Sequence, residues 1–123
     1  MAAWTPFRLT VEGMRILDWL GKEHPNRMSR LSYVKIDTEG NELSVIRSIR
    51  PMIAEMKPTL HLEMFLRLPP DSRLELFREL QDIGYKAFRA EGEHGLLPGT
   101  ELNEQNLSRW NHYDIVAIPL TPR

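Results

Sequence analysis

A strand-like segment that runs directly into an acidic turn and then into a helix is the feature that most constrains this fold. Residues 31–36 combine apolar, β-branched and aromatic side chains and contain no glycine or proline. Three acidic residues and a glycine follow, and apolar residues then recur at helical spacing at Leu43, Ile46, Ile49 and Ile53. A strand that ends in carboxylates and turns into a helix is typical of open α/β sheets, which bind ligands at the carboxyl ends of their strands.

Helices and strands are predicted to alternate along the chain. Residues 10–23 carry apolar side chains at helical spacing, and the strand over residues 31–37 leads into a helix that begins near Gly40. Pro51 lacks an amide donor and its ring clashes with the preceding turn. We therefore expect a helix break just before Pro51 and a second short helix over residues 51–56.

The next strand and helix have clearer boundaries. A strand is predicted over residues 59–65, between two proline-containing turns. Ser72 and, three residues later, Glu75 match a capping box at the start of the following helix. Gly84 matches the left-handed cap that commonly ends a helix.

Two further strands are predicted over residues 85–89 and 113–118. The polar stretch between them, residues 90–112, has no predicted secondary structure, and loops of that length are often lids or binding elements. Strands that alternate with helices favour right-handed crossovers and a mainly parallel sheet. Since the last strand arrives without a helix, we expect it to run antiparallel.

The segment from Lys35 to Glu42, K-I-D-T-E-G-N-E, resembles the K-I-D-x-E-G-x-E signature of the FkbM-like methyltransferases. These enzymes use S-adenosylmethionine and typically methylate oxygen. Weaker matches extend over most of the chain and include the helix over residues 10–23, Pro58 with Leu62 and Glu63, and Gly84 with Tyr85. The resemblance implies an α/β fold, namely the C-terminal half of a Rossmann-like class I methyltransferase sheet. Its spatial strand order would be fourth, fifth, seventh, sixth, with an antiparallel seventh strand.

The resemblance also implies a set of site residues. Asp37 and Gly40 would contact the cofactor, with Asp37 beside the sulfonium and its methyl group, and Asp37, Glu39 and Glu63 would be catalytic. The substrate would be a hydroxyl group on a small molecule or a glycan. From strand-end placement, we expect Asp37 and Glu63 to face one cleft, while Glu42 points along its helix.

Other interpretations of the acidic cluster remain open. Acidic residues at a helix N-terminus are stabilised by the helix dipole at roughly 0.3–1 kcal/mol each, without any ligand. No metal is predicted, but a divalent cation bridging two neighbouring carboxylates is an alternative. A small metal hydrolase built on Asp37, Glu39 and Glu63 would require those three side chains to converge.

The sequence before the motif contains no glycine-rich nucleotide loop, since Gly13 stands alone and in the wrong context. We therefore expect residues 1–123 to form one partial methyltransferase-like domain that lacks the glycine-rich cofactor-binding half. The alternative function is a non-catalytic or truncated interaction module. Without a neighbouring first strand, the strand over residues 31–37 would pair with a second copy of the chain or with a missing N-terminal half.

Composition narrows the classes of partner. The formal net charge is −1 and the basic residues are scattered, so we expect no nucleic-acid partner. No apolar run is long enough for a membrane span. The absence of cysteine excludes disulfides, thiolate nucleophiles and cysteine-bound zinc, and fits a cytoplasmic location. His61, on the same strand face as Glu63, is expected to be structural, and Trp110 is the best candidate for lining a substrate pocket.

Overall fold

The structure is a computed structural model that describes residue 19, residues 22–28 and residues 30–121. The predicted helix over residues 10–23 lies mostly outside the described residues. The described helices are α1 (Pro25–Met28), α2 (Glu42–Met56) and α3 (Pro70–Asp82). The described strands are β1 (Tyr33–Lys35), β2 (Thr59–Met64), β3 (Tyr85–Glu91), β4 (Leu97–Glu101) and β5 (Tyr113–Pro119).

The five strands form one mixed sheet in the order β1-β2-β5-β3-β4. The α/β class, the adjacency β1-β2-β5-β3 and the antiparallel last strand are confirmed. The prediction of a mainly parallel sheet is wrong, because only the β1–β2 pair is parallel. The reason is that β5 enters between β2 and β3 and β4 folds back on β3, so each creates antiparallel contacts.

The two faces of the sheet differ in chemistry. On one face, apolar residues of β2 such as Leu60, Leu62 and Met64 are fully buried in a core shared with α2 and α3. On the other face, β2 presents His61 and Glu63, because successive residues of a strand point to opposite sides. The prediction that these two polar residues share a face is therefore confirmed by the burial pattern and the register.

The predicted helix break at Pro51 is wrong, since α2 is continuous from Glu42 to Met56. A proline inside a helix costs about 3 kcal/mol. Against this, α2 buries Ile46, Ile49 and Ile53 almost completely, and each such side chain contributes about 1.5–3 kcal/mol. Burial of the apolar stripe therefore outweighs the local cost of the exposed proline.

The predicted capping box is also wrong. Helix α3 begins at Pro70 with Pro69 as its N-cap, so Ser72 lies inside the first turn. The fixed φ of proline suits the first helical position, where its missing amide costs nothing. At the other end, Gly84 adopts the predicted left-handed conformation, with φ of 93°.

Residues 90–112 are more structured than predicted. Strand β3 extends to Glu91, and β4 pairs with it as a hairpin. The segment after β4 is folded by the side chains of two asparagines. Asn103 accepts hydrogen bonds from the amides of Gln105 and Asn106 at 2.9 and 3.0 Å, and the Asn106 amide group donates to the Glu101 carbonyl at 3.0 Å.

A buried arginine joins α3 to the two loops beside the polar face of the sheet. Arg73 is only 4% exposed, and its five hydrogen bonds all go to backbone carbonyl oxygens. These carbonyls belong to Phe65, Leu68, Leu107, Trp110 and Asn111. The turn that follows β2 and the loop that precedes β5 are therefore fixed to one side chain.

We expect Arg73→Met to lower the free energy of unfolding by about 3 kcal/mol, because it removes the donor from one buried and four partly buried carbonyls. Arg78→Met on the same helix is the matched control. Arg78 is exposed and pairs with exposed Glu104 at 2.9 Å, so its loss should cost less than about 1 kcal/mol. Denaturant unfolding checks both values, and equal losses for the two variants would contradict this role of Arg73.

Candidate functional site

The parallel register of β1 and β2 brings two acidic side chains together at the carboxyl ends of these strands. Lys35 pairs with His61, and the amide of Ile36 donates to the His61 carbonyl at 2.8 Å. Two residues further along each strand stand Asp37 and Glu63. Both line one cavity of about 60 Å³, so the prediction that they face one cleft is confirmed.

Glu63 is the more buried of the two carboxylates, with a side chain 14% exposed. Its Oε2 lies 3.6 Å from Nε2 of His112, while its Oε1 is buried and has no hydrogen-bond partner among the described residues. Burial raises the pKa of Glu63, and the negative charge of Asp37 raises it further, although His112 acts in the opposite direction. A carboxylate whose pKa is raised is a stronger base than an ordinary glutamate.

The motif turn is held by Glu42, which does not point along its helix as predicted. Its Oε2 accepts a hydrogen bond from the amide of Thr38 at 2.9 Å, and its Oε1 accepts one from the amide of Gly40 at 3.0 Å. The side chain is 1% exposed. Because the first amides of a helix have no intrahelical partner, an acid at its start can turn back to bind the preceding loop. Glu42 thus fixes the loop that follows Asp37.

Glu39 and Gly40 occupy left-handed backbone positions in this turn, with φ of 52° and 113°. Glu39 is exposed and does not belong to the cavity shared by Asp37 and Glu63, so the structure does not bring the three predicted catalytic residues together. Gly40 lines a neighbouring cavity of about 150 Å³ with Glu42. A cofactor contact at Gly40 stays a prediction.

The convergence required for a metal hydrolase is not found. Glu39 lies outside the cavity of Asp37 and Glu63. Within residues 22–28 and 30–121, and at residue 19, no group of three or more histidine or acidic side chains is arranged to hold a metal ion.

The sequence did not predict a hydrogen-bonded chain of three side chains, two of which, His61 and Asp114, line the same cavity. The hydroxyl of Tyr33 lies 2.7 Å from Nδ1 of His61, and Nε2 of His61 lies 3.0 Å from Oδ2 of Asp114. His61 is 3% exposed. The chain depends on the pairing of three strands, β1, β2 and β5, and only the shared strand face of His61 and Glu63 hinted at it.

Trp110 packs against the protein. Its ring centroid lies 5.4 Å from that of Tyr113, and the guanidinium of Arg89 lies 4.7 Å from the ring centroid. Its role in lining a substrate pocket stays a prediction.

Comparison with protein-family models gives no match for this chain, and comparisons with curated proteins and with solved structures give none either. In the part of the chain that the structure describes, no helix has the length and apolar character needed to cross a membrane.

We expect Glu63→Gln to stabilise the protein at neutral pH relative to the wild type, and less so towards acidic pH. A raised folded-state pKa means that ionised Glu63 is disfavoured by folding, and this cost is fully present above that raised pKa. Below the ordinary value of 4.5 the carboxyl is protonated in both states and the cost disappears. Thermal unfolding across pH measures the difference. Glu55→Gln, at an exposed position of α2, should show no such trend.

Proposed function

We propose that the cavity between Asp37 and Glu63 handles the methyl group and the acceptor hydroxyl in S-adenosylmethionine-dependent O-methyl transfer. The observation that carries this proposal is the pair of neighbouring carboxylates at the carboxyl ends of parallel β1 and β2. Ligand sites of open α/β sheets form at this edge. The resemblance of residues 35–42 to the FkbM-like signature, and the strand order β1-β2-β5-β3, support a Rossmann-like origin.

The residues present fit the cationic end of this cofactor. The carboxylates of Asp37, Glu63 and Asp114 line the cavity, and the buried Oε1 of Glu63 has no hydrogen-bond partner within the described part of the chain. S-adenosylmethionine supplies, when bound, an electrophilic methyl group on a positively charged sulfur. The cavity of about 60 Å³ is far smaller than the roughly 300–1,000 Å³ of ordinary ligand pockets. Asp37 and Glu63 would therefore contact the sulfonium and the acceptor hydroxyl, and the adenosine would bind outside this cavity.

The two carboxylates have separate roles in this proposal. Asp37 is exposed to solvent and favours a positive charge beside it. Glu63, whose pKa is raised by burial and by Asp37, accepts the proton of an acceptor hydroxyl. Such a hydroxyl belongs to a small molecule or a glycan in the function that the resemblance implies. The clamp of Glu42 on Thr38 and Gly40 keeps Asp37 in place.

Isothermal titration with two ligands tests the proposal, because S-adenosylmethionine carries the sulfonium charge and S-adenosylhomocysteine does not. We expect the wild-type chain to bind both, and Asp37→Asn to weaken S-adenosylmethionine about tenfold while changing S-adenosylhomocysteine much less. Two opposite unit charges about 4 Å apart attract by about 1 kcal/mol in bulk water and about 4 kcal/mol near a protein surface, and a tenfold loss of affinity, about 1.4 kcal/mol, lies in that range.

Glu55→Gln is the matched control, because it removes an exposed charge near the C-terminal end of α2, away from the motif turn. It should leave both titrations unchanged. Flat titrations of the wild-type chain would overturn the proposal for this chain. An equal loss of both ligands in Asp37→Asn would show that Asp37 does not respond to the sulfonium.

A second candidate function is an interaction module that pairs through β1. This strand is at the edge of the sheet in the described part of the chain. Ser32 and Ile36 hydrogen-bond with β2, so the alternating backbone groups of Tyr33 and Lys35 point away from it. An edge strand with outward amides is a template for pairing with another chain.

Sedimentation velocity at tens of micromolar tests this pairing. We expect dimers or larger species for the wild type and monomers for Lys35→Pro, which removes an outward amide without removing a bond to β2. Lys35→Ala is the control for loss of the side chain and should associate as the wild type does. A stable wild-type monomer would exclude this function for the isolated chain.

A further inference from the structure

The polar face of the sheet contains a chain of hydrogen bonds that crosses three strands. It begins at Tyr33 on β1, passes through His61 on β2 and ends at Asp114 on β5. The two contacts measure 2.7 Å and 3.0 Å, and the imidazole between them is 3% exposed. Both ring nitrogens of His61 are therefore engaged by protein groups of different character.

The partners of His61 determine its tautomer. A carboxylate only accepts hydrogen bonds, so Nε2 of His61 carries the proton that is donated to Asp114. Nδ1 of the neutral ring is then an acceptor, and the hydroxyl of Tyr33 donates to it. The Tyr33 oxygen keeps its lone pairs for a ligand, and Asp114 stabilises any positive charge that develops on His61.

Tyr33 differs from the other two tyrosines of the chain. Tyr85 and Tyr113 are 2% and 5% exposed, and their hydroxyls donate to the carbonyls of Pro58 and Leu107. A carbonyl cannot accept a proton at neutral pH. Tyr33 is 45% exposed and donates instead to a base.

We propose that Tyr33, His61 and Asp114 form a proton-relay site in which the Tyr33 oxygen meets a hydroxyl-bearing ligand and passes a proton inward to His61. This assignment rests on the hydrogen-bonded chain and stands independently of methyl transfer. Tyr33 is the residue that touches the ligand, and His61 and Asp114 act through it.

The relay balances as a transfer of one proton. The O–H bond of the ligand breaks, its proton binds to the Tyr33 oxygen, and the phenolic proton of Tyr33 moves to Nδ1 of His61. The electron pair stays on the ligand oxygen, which can then attack an electrophilic carbon.

The charges around the relay define the class of ligand. Asp37, Glu63 and Asp114 line the adjoining cavity, and Lys35 and His61 are its basic members. A carboxylate or phosphate on the ligand would meet three acidic side chains at this site. We therefore assign the site to a neutral or cationic alcohol.

Acetylation by p-nitrophenyl acetate tests the relay without a natural substrate. The Tyr33 oxygen forms a bond to the acetyl carbon, p-nitrophenolate leaves, and the phenolic proton moves to His61. Burial and the charge of Asp114 raise the pKa of Tyr33, which slows reaction through free phenolate. We expect Tyr33 to be acetylated faster than N-acetyltyrosinamide. Because its raised pKa works against this, the faster rate would have to come from His61 acting as a base.

Tryptic mapping isolates residues 31–35, and hydroxylamine removes an acetyl group from Tyr33 but not from Lys35. In His61→Gln, the amide is not a base at neutral pH and cannot hold the proton, so we expect acetylation of Tyr33 to slow about 100-fold. Asp114→Asn should give a smaller loss. Tyr85 and Tyr113 should stay unmodified, and Tyr33→Phe should abolish the hydroxylamine-sensitive product.

Two results would overturn the relay. One is a Tyr33 acetylation rate in folded His61→Gln equal to that of the wild type, because the histidine would then be only structural. The other is an NMR measurement on the wild type that finds the proton of neutral His61 on Nδ1. The NMR result decides the question even if His61→Gln does not fold, and Asp114→Asn supplies the second rate comparison.

Discussion

The buried guanidinium of Arg73 is the interaction on which the arrangement of this site depends. Its hydrogen bonds to backbone carbonyls replace a carboxylate partner, so the charge is satisfied by loop dipoles. The turn after β2 and the loop before β5 converge on this one side chain. Glu63 and Asp114 are cross-strand partners at the ends of these two strands, and α3 holds, through Arg73, the loops that continue from both strands.

Glu42 fixes the loop after β1 by hydrogen bonds to its backbone, as Arg73 fixes the turn after β2 and the loop before β5. The two residues are opposite in charge and use the same principle, since each satisfies backbone groups that secondary structure leaves unpaired. Glu63 stands beside Asp37 although like charges repel, and its pKa is raised first by burial and second by the charge of Asp37.

Local sequence patterns correctly predicted the elements whose formation depends mainly on neighbouring residues. The strand, turn and helix around Asp37 followed from hydrophobic spacing, and the strand adjacency followed from the family resemblance. The helix break predicted at Pro51 was wrong because burial of the apolar stripe of α2 outweighs the cost of the proline. The capping box predicted at Ser72 was wrong because the fixed φ of Pro70 starts α3 two residues earlier. Strand β4 was missed because Pro98 and Gly99 are poor strand residues, which only an edge strand tolerates.

The features that the sequence could not predict depend on tertiary contacts. The relay of Tyr33, His61 and Asp114 requires the register of three strands, and no spacing along one segment encodes it. A charged residue in a helix is ordinarily expected at the surface, so no sequence pattern indicated that Arg73 is buried.

The position of β5 has a consequence for how the chain folds during synthesis. This strand lies between β2 and β3, so the sheet remains two separate pieces until residues 113–119 have left the ribosome. Until then β2 and β3 each present an open inner edge, and Asp114 is absent from the polar face. Long-range pairing of this kind is slow and exposes partly folded chains to wrong partners. β5 therefore both covers the open edges of β2 and β3 in the nascent chain and supplies Asp114 to the polar face.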